Sequence, residues 1–253
     1  MHYGQLTRGD LGRLQPNTVA ILPMGAMESH GPHLPLATDT VIAEAVVDRA
    51  AAILGDGQVP IARLPPLWLG FSPEHGEEPG TLTLPAEVML ATLQAVGGGL
   101  SAQGIGRLVI LNAHGGNIGL ASAAAIQLRA RHGILIATPH WLDFGLPEAA
   151  AALGDPTTDV HGGGLETAMM LAAAPHLVTH PLPPEAARSP PGAQLFPSGP
   201  VNWGWLAGDL GKDGYVGAPQ RATAEAGKAI IDHAGEGLAR LVKDLANAPW
   251  IDR

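Results

Sequence analysis

The chain has 253 residues, 46% of them hydrophobic, and a formal net charge of −9; its basic residues form no stripe, which excludes the usual electrostatic footprint of a nucleic-acid binder. No apolar run reaches the ~20 residues that span a bilayer and no signal pattern opens the chain, so we expect a cytoplasmic protein without a membrane partner. The absence of cysteine excludes disulfides and thiolate ligands, so any metal ion must be held by histidine nitrogen and carboxylate oxygen.

Along the first half of the chain, short apolar runs rich in β-branched residues alternate with longer helical patterns. The predicted strands are 19–22, 59–64, 108–111 and 134–138, and the predicted helices between them are 40–54, 85–103 and 117–132. The expected helix boundaries are Asp39 or Thr40 as an N-cap, Pro85 in a first turn and Gly133 after a last turn. This alternation predicts a three-layer α/β/α fold with a mostly parallel central sheet, built as a single domain over residues 1–253.

The alternation of strand and helix patterns ends after residue 138. Short helices are predicted near 147–153 and over 163–174, and an amphipathic helix over 223–247, whereas residues 175–215 show no clear periodicity. Long irregular segments in a compact domain are usually lids or interaction surfaces. From its length and its proline and tryptophan content, we predict that segment 181–205 closes the pocket of a neighbouring subunit.

Three loops that follow predicted strands or precede predicted helices hold most of the polar residues that are candidates for a functional site. The first holds Glu28, His30, His33 and Asp39, the second holds His114-Gly115-Gly116 between Asn112 and Asn117, and the third holds His161 and Glu166. Because the carboxyl ends of parallel strands share one edge of a sheet, these loops can converge although they are distant in sequence. The sequence therefore predicts one site built from all three.

The residue types in these loops suit a pair of divalent cations. Glu28 and His30 are two residues apart, so in an extended segment their side chains point the same way and each can reach a different ion. Asp39 can bridge both ions, and the predicted ligands are completed by His114 and Glu166. Two ions ~3.5–4 Å apart share a water, lower its pKa and stabilise the oxygen that becomes negative, which predicts hydrolysis by a bridging hydroxide.

His161 and Glu166 are the predicted catalytic residues, with His161 as general acid or base. Direct metal ligation is the alternative role for His161. Taken singly, a buried histidine is more often a core side chain, and Asp39 or Glu166 alone suits a helix start. Their joint occurrence in a chain of low charge favours the metal site.

A further set of residues is predicted to bind substrate: Ser72, His75, Gly115, Gly116 and Trp141. The alternatives are that His75 ties down its own loop and that the two glycines only form a tight strand-to-helix turn. Trp141, together with Trp203 and Trp205, either walls the pocket or belongs to the core.

At these residues the sequence resembles the creatininase family of metal-dependent amidohydrolases. The matching motifs are Glu28-Ser-His30-Gly-Pro-His33-Leu-Pro with Thr38-Asp39-Thr40, Pro79-Gly-Thr81, Asn112-Ala-His114-Gly-Gly-Asn117, His161-x4-Glu166-Thr and the segment from Gly217 to Lys228. The resemblance implies an α/β/α fold, a homo-oligomer, commonly a hexamer, and two divalent metal ions per subunit, with zinc favoured over manganese or iron.

The resemblance also implies roles for single residues. Glu28, Asp39 and His114 would hold one ion. The other ion would be held by His30, Asp39 and Glu166. His161 would be the proton-transfer residue.

Two departures from the family pattern bear on the substrate. In enzymes that open the creatinine ring, the histidine matching His114 is followed by tyrosine and a metal-binding glutamate, where this chain has Gly115 and Gly116. The tryptophan–aspartate pair that those enzymes use is absent near Thr157 and Thr158. We therefore expect a hydrolase of a C–N bond in another small amide, cyclic amide or formamide. The alternatives are a peptidase that trims a small precursor peptide, of the mycofactocin type, and a catalytically silent binding protein of the same fold.

Overall fold

The computed structural model describes residues 1–55, 59–186, 192, 195–197, 201 and 203–249. Its central feature is a sheet of four parallel strands in the order β2-β1-β3-β4. The strands are β1 (Val19–Met24), β2 (Ile61–Arg63), β3 (Arg107–Asn112) and β4 (Leu135–Ala137). All four were predicted, although β2 and β4 are shorter than expected. The parallel arrangement confirms the predicted fold class.

Helices cover both faces of this sheet. The described helices are α1 (Arg8–Leu11), α2 (Thr38–Leu54), α3 (Ala86–Ala102), α4 (Ile118–His132), α5 (Gly164–Ala173), α6 (Ala207–Leu210) and α7 (Ala224–Asn247). Along β1, Val19 and Ile21 pack into a core with α2, α5 and α7, whereas Ala20 and Leu22 pack into a second core with α3 and α4. Side chains of a strand point alternately to the two faces, so β1 is buried on both and the molecule has the predicted three layers.

The layer of α5 and α7 depends on small residues at its closest contact. A Cβ added at Gly227 of α7 would lie 1.8 Å from the carbonyl oxygen of Ala168 in α5. Only glycine allows this approach, because the neighbour is a backbone atom that cannot rotate away. The contact holds α5, which carries Glu166, against the longest helix of the fold.

Three predictions about helices differ from the structure. Helix α2 begins at Thr38 with Ala37 at its N-cap, so the prediction of Asp39 or Thr40 as a cap was wrong. The Thr38 hydroxyl instead donates to the carbonyl of Pro35, 2.7 Å away, which lets the helix start early. Pro85 is the N-cap of α3 rather than a first-turn residue, and the predicted helix near 147–153 is a single 3-10 turn over Glu148–Ala150.

Two predicted boundaries are confirmed. Gly133 ends α4 with φ of 67°, a left-handed value that favours glycine. Thr223 caps α7 by accepting a hydrogen bond from the backbone nitrogen of Ala226 at 3.2 Å. Within residues 175–215, the described part holds only the short helix α6 and a 3-10 turn at Pro175–Leu177. No helix in the described part of the chain combines the length and hydropathy that a bilayer span requires.

Candidate active site

The first loop of the site leaves β1 and returns to the start of α2. Glu28 and His30 are fully buried, and His30 Nε2 lies 3.8 Å from Glu28 Oε1. Asp39, in the first turn of α2, places Oδ1 3.1 Å from the same nitrogen. The loop is tight at Gly25, where an added Cβ would lie 2.4 Å from the backbone nitrogen of Thr40. The close approach of loop and helix thus brings three predicted site residues together.

The second loop follows β3 and is held by two asparagines. The side chain of Asn112 donates to the carbonyl of His114 at 2.7 Å and accepts from its backbone nitrogen at 3.1 Å. Asn117 donates to the carbonyl of Gly25 at 3.0 Å, which ties this loop to the first. His114 consequently places Nδ1 3.1 Å from Glu28 Oε1 and 3.5 Å from Asp39 Oδ2.

The third loop precedes α5, and its backbone N–H groups donate hydrogen bonds to two carboxylates, those of Glu166 and Asp159. Glu166 accepts a hydrogen bond from the backbone nitrogen of Gly162 at 2.6 Å, which turns its carboxylate towards the first loop. Its Oε2 atom lies 3.8 Å from His30 Nε2. Asp159, which the sequence reasoning missed, accepts from the backbone nitrogens of Gly164, Leu165 and Ala218. Asp159 therefore fixes the start of the helix that carries Glu166.

The three loops bring all five predicted metal ligands to one place. Their donor atoms form three groups within 4.8 Å, composed of Glu28, Asp39 and His114, of His30, Asp39 and Glu166, and of Glu28, His30 and His161. The first two groups are the two ligand sets implied by the family resemblance, with Asp39 shared between them. The third group keeps metal ligation open as the alternative role of His161.

The buried oxygens of this cluster fit a cation. Among the described residues, neither carboxylate oxygen of Glu28 and not Oδ2 of Asp39 has a hydrogen-bond partner, although all three are buried. A buried unpaired carboxylate oxygen is costly unless a cation compensates it. The donor set of imidazole nitrogens and carboxylate oxygens suits zinc, manganese or iron.

Without bound cations, protons balance the charge of the cluster. Burial opposes the charging of His30, but Asp39, Glu166 and Glu28 outweigh it and raise the pKa of His30 to about 10. Burial likewise opposes the charging of His114, yet the carboxylates around it raise its pKa well above the usual value. Burial raises the pKa of Glu166 to about 7. Divalent cations would take the place of these protons.

His161 differs from the other two histidines because its ring stays neutral. Its Nε2 atom lies 2.6 Å from the carbonyl oxygen of Ser29, so Nε2 carries the hydrogen and donates it. Nδ1 is then the basic nitrogen, and it lies 3.6 Å from Glu28 Oε1. Burial, helped by His30 and His75, holds the pKa of His161 well below its usual value. A neutral ring with its free nitrogen facing the cluster can accept a proton.

A cavity of about 670 Å³ opens beside the cluster. Of the predicted substrate-binding residues, His75, Gly115, Gly116 and Trp141 line it. Ser72 does not line it; its hydroxyl is fully buried 3.2 Å from His114 Nε2, where it supports His114. The ring of His75 stacks on that of His161 with centroids 4.0 Å apart. His33 stays outside the cluster, bonded through Nε2 to Thr167 Oγ1 at 2.9 Å.

The segment predicted to cover a neighbouring site contributes to the cavity of its own subunit. Pro197, Trp203, Gly204 and Trp205 all line it. The Trp205 ring meets His75 edge-on with centroids 6.4 Å apart, and Trp203 donates to the carbonyl of Phe196 at 3.1 Å. Closure of a neighbouring subunit's pocket by this segment stays a prediction, and residues 187–191, 193–194, 198–200 and 202 lie outside the described residues.

Glu74 is a second residue that the sequence reasoning missed. It lines the cavity, and its Oε1 atom lies 3.3 Å from His114 Nε2. Because Glu74 directly precedes His75, which was predicted to bind substrate, the sequence offered a reason to include Glu74 in the site. Asp159, two residues before His161, offered the same kind of signal.

Comparison with known proteins places this geometry in a family. The family model described as "Creatininase: Creatinine amidohydrolase" matches residues 4–242. The chain belongs to the creatininase family. As a family member whose buried donor groups suit metal ions, it is a creatininase-family hydrolase.

Two of the named relatives carry different activities. A mycofactocin precursor peptide peptidase of Mycobacterium ulcerans is 35% identical over 217 residues, which cover 83% of this chain and 79% of that protein. A creatinine amidohydrolase of Pseudomonas putida is 28% identical over 250 residues, covering 89% of each chain.

Solved structures confirm the creatininase-like fold. A structure described as a putative creatinine amidohydrolase from Bacteroides fragilis superimposes with a TM-score of 0.82 at 26% identity, covering 100% of this chain and 98% of that one. Creatininase structures described as an Mn form and as a Zn-Zn type mutant superimpose with a TM-score of 0.77 each. Creatininases of this fold are thus described with manganese and with zinc.

Proposed function

We propose that this protein is a hydrolase dependent on two divalent metal ions that cleaves the C–N bond of a small amide, cyclic amide or formamide. The observation that carries the proposal is the pair of ligand groups that share Asp39, in which histidine nitrogens and buried carboxylate oxygens of Glu28 and Asp39 without a hydrogen-bond partner among the described residues face one another. Metal ions held between these groups would compensate the buried carboxylates and leave the histidine nitrogens free to act as ligands.

The two ions would be held by the two ligand groups, one by Glu28, Asp39 and His114 and the other by His30, Asp39 and Glu166. Zinc is the favoured metal, and manganese or iron also suits the donor set. When bound, such a pair supplies an activated water and polarises the substrate carbonyl.

The proton transfer belongs to His161. Its hydrogen bond to the carbonyl of Ser29 holds Nε2 in the protonated form and leaves Nδ1 facing the cluster. Nδ1 accepts a proton as the water attacks and returns it to the nitrogen of the leaving amine when the C–N bond breaks. Burial favours the neutral ring that this role needs.

Glu166, the second predicted catalytic residue, contributes to the same reaction by its fixed position. Its carboxylate is fixed by the backbone nitrogen of Gly162 at 2.6 Å, and α5 holds the residue rigidly at the end of its loop. A fixed carboxylate keeps the reacting groups aligned, which lowers the entropic cost of the reaction.

The test is a panel of amides, formamides and lactams offered to protein stripped of metal and then reloaded with zinc or manganese. We expect hydrolysis only after reloading, with about two equivalents bound per chain. Full activity in the stripped protein would contradict the proposal.

A peptidase acting on a small precursor peptide is the second candidate. It is favoured by relatives of 32–35% identity that carry the name mycofactocin precursor peptide peptidase. The cavity of about 670 Å³, with its acidic and indole lining, also has room for more than a small ring. Mass spectrometry of short peptides and of small amides after incubation with the zinc-loaded protein separates the two candidates.

We also propose a homo-oligomer, with a hexamer favoured by the family resemblance. A groove beside the edge strand β4 supports assembly, since it is lined by Ile126, Leu135 and Ile136, and Ile126 is 73% exposed. Light scattering during size-exclusion chromatography measures the number of subunits, and a monomer at micromolar concentration would contradict this proposal.

A further inference from the structure

Glu74 occupies the space beside His114 that the glycine at position 116 leaves open. It lies in the 3-10 turn Pro73–His75, and its side chain is 13% exposed towards the cavity. A Cβ added at Gly116 would come within 2.5 Å of Glu74 Oε1. The carboxylate of Glu74 therefore reaches from a different loop into the space where a side chain at 116 would begin.

The other carboxylates that line the cavity are already engaged. Glu28, Asp39 and Glu166 belong to the candidate metal groups. Asp159 accepts three backbone N–H groups, and Asp143 accepts from the backbone nitrogen of His140 at 2.8 Å. Two divalent cations would occupy the carboxylates of the first three. Glu74 is the carboxylate that remains.

Once His114 Nδ1 holds a metal ion, its ring is neutral and does not balance the charge of Glu74. Among the described residues, no lysine or arginine lines the cavity, and the ion-pair contact of Glu74 is with His114 Nε2. That nitrogen also lies 3.0 Å from the carbonyl of Phe71 and 3.2 Å from the hydroxyl of Ser72. One imidazole N–H cannot serve three acceptors, so the carboxylate of Glu74 keeps acceptor capacity for a ligand.

Two other buried groups of the cavity have polar atoms available to a ligand: the Trp141 indole N–H can only donate, which suits a carbonyl oxygen of the substrate, whereas His75 Nδ1 can accept when Nε2 carries the hydrogen. His75 Nδ1 and Trp141 Nε1 have no hydrogen-bond partner among the described residues, and both residues are only 2% exposed. Both line the same cavity, together with the indoles of Trp203 and Trp205. Aromatic faces attract cations, and carboxylates form their strongest hydrogen bonds with charged N–H donors.

We propose that Glu74 determines specificity by binding a cationic nitrogen group of the substrate, such as an amidinium, a guanidinium or an ammonium, against the indole walls. The inference rests on the proposed amide hydrolase, and it narrows the substrate to amides that carry a positive charge near the scissile bond. Anionic substrate groups are disfavoured beside Glu74, because its carboxylate would repel them and no lysine or arginine in the described part of the chain lines the cavity to offset that repulsion.

Binding of a matched pair of probes tests this proposal without requiring turnover. Benzylguanidinium and benzylurea have the same shape and differ in charge, and isothermal titration of the zinc-loaded protein measures both affinities. We expect the cation to bind about tenfold or more tightly than the urea, since one charged hydrogen bond contributes that much. Equal affinities for the two probes would overturn the proposal.

Two variants locate the effect. Glu74→Gln keeps the shape of the side chain and should remove the preference for the cation while affinity for benzylurea stays unchanged. Glu77→Gln is the matched control: it removes the same charge from an exposed position of the same loop, and the preference should persist. A preference that survives Glu74→Gln would overturn the proposal.

Zinc content and thermal unfolding are measured for both variants, because Glu74 also contacts His114. Loss of zinc together with an equal loss of both probes would show a structural role for Glu74 and would also overturn the proposal. Since these measurements concern binding, an inactive enzyme that still prefers the cation would refute the proposed hydrolase function and leave this inference standing.

Discussion

Replacing Gly116 by alanine places a methyl group at the most crowded point around His114. The added Cβ would lie 2.3 Å from the carbonyl oxygen of Phe71, 2.5 Å from Glu74 Oε1 and 2.6 Å from His114 Nε2. The neighbouring Gly115 offers a matched control, because nothing lies within 4 Å of a Cβ added there. The pair separates crowding from the general effect of removing a glycine.

The size of the effect follows from what must move. Glu74 can swing aside, but the carbonyl of Phe71 is backbone, so the clash costs about 1–3 kcal/mol of folding free energy. The hydrogen bond between His114 Nε2 and that carbonyl, 3.0 Å long, is lost when they separate. Losing such support of a metal ligand typically weakens metal binding ~10–100-fold. That range corresponds to ~1.4–2.7 kcal/mol.

Competition with a chromophoric chelator measures zinc affinity, and thermal unfolding of the metal-free protein measures stability. We expect Gly116→Ala to lower both the zinc affinity and the stability of the metal-free protein. Gly115→Ala should keep wild-type zinc affinity, with a stability change within ~1 kcal/mol. If the two variants bind zinc equally well, the packing around His114 does not govern metal binding and the reasoning is refuted.

Three further predictions concern the cluster itself. Asp39→Asn should lose at least one zinc equivalent by elemental analysis, because Asp39 belongs to both ligand groups; retention of both ions would contradict the shared role. His161→Asn should keep its zinc but lose ~10²–10⁴-fold in kcat, and loss of zinc instead would favour metal ligation by His161. Zinc binding should release protons at pH 7 and tighten as pH rises towards 10, because His30, with its pKa raised to about 10, must give up its proton to the ion. Calorimetry in two buffers of different ionisation enthalpy measures the release, and none at pH 7 would contradict the protonated His30.

The gathering of the five candidate ligands could be predicted from the sequence because it depends on simple regularities. Parallel strands deliver their carboxyl ends to one edge, so Glu28 after β1 and His114 after β3 had to be neighbours. Asp39 could be placed beside them because the first loop is short and leads directly back to the start of α2. The sheet was predictable for the same reason, since β-branched runs alternating with helical patterns leave few other arrangements.

The lining of the cavity was less predictable, because it depends on how loops fold back. The orientation of His161 depends on the carbonyl of Ser29, 132 residues away in the chain. Trp203 and Trp205 line the cavity, and the sequence alone left open whether they would do so or belong to the core. Loop paths have no periodicity, so their contacts cannot be deduced from residue spacing.

By itself, the sequence determined the layered sheet, the family and the donor set, because these depend on local periodicity and on residues close to strand ends. Only the tertiary structure decided which nitrogen of His161 faces the cluster, that Ser72 supports His114 rather than the cavity, and that Glu74 fills the space beside Gly116. Those facts depend on contacts between loops that are distant in the sequence. Contacts of that kind arise from packing of the whole chain, which no single segment encodes.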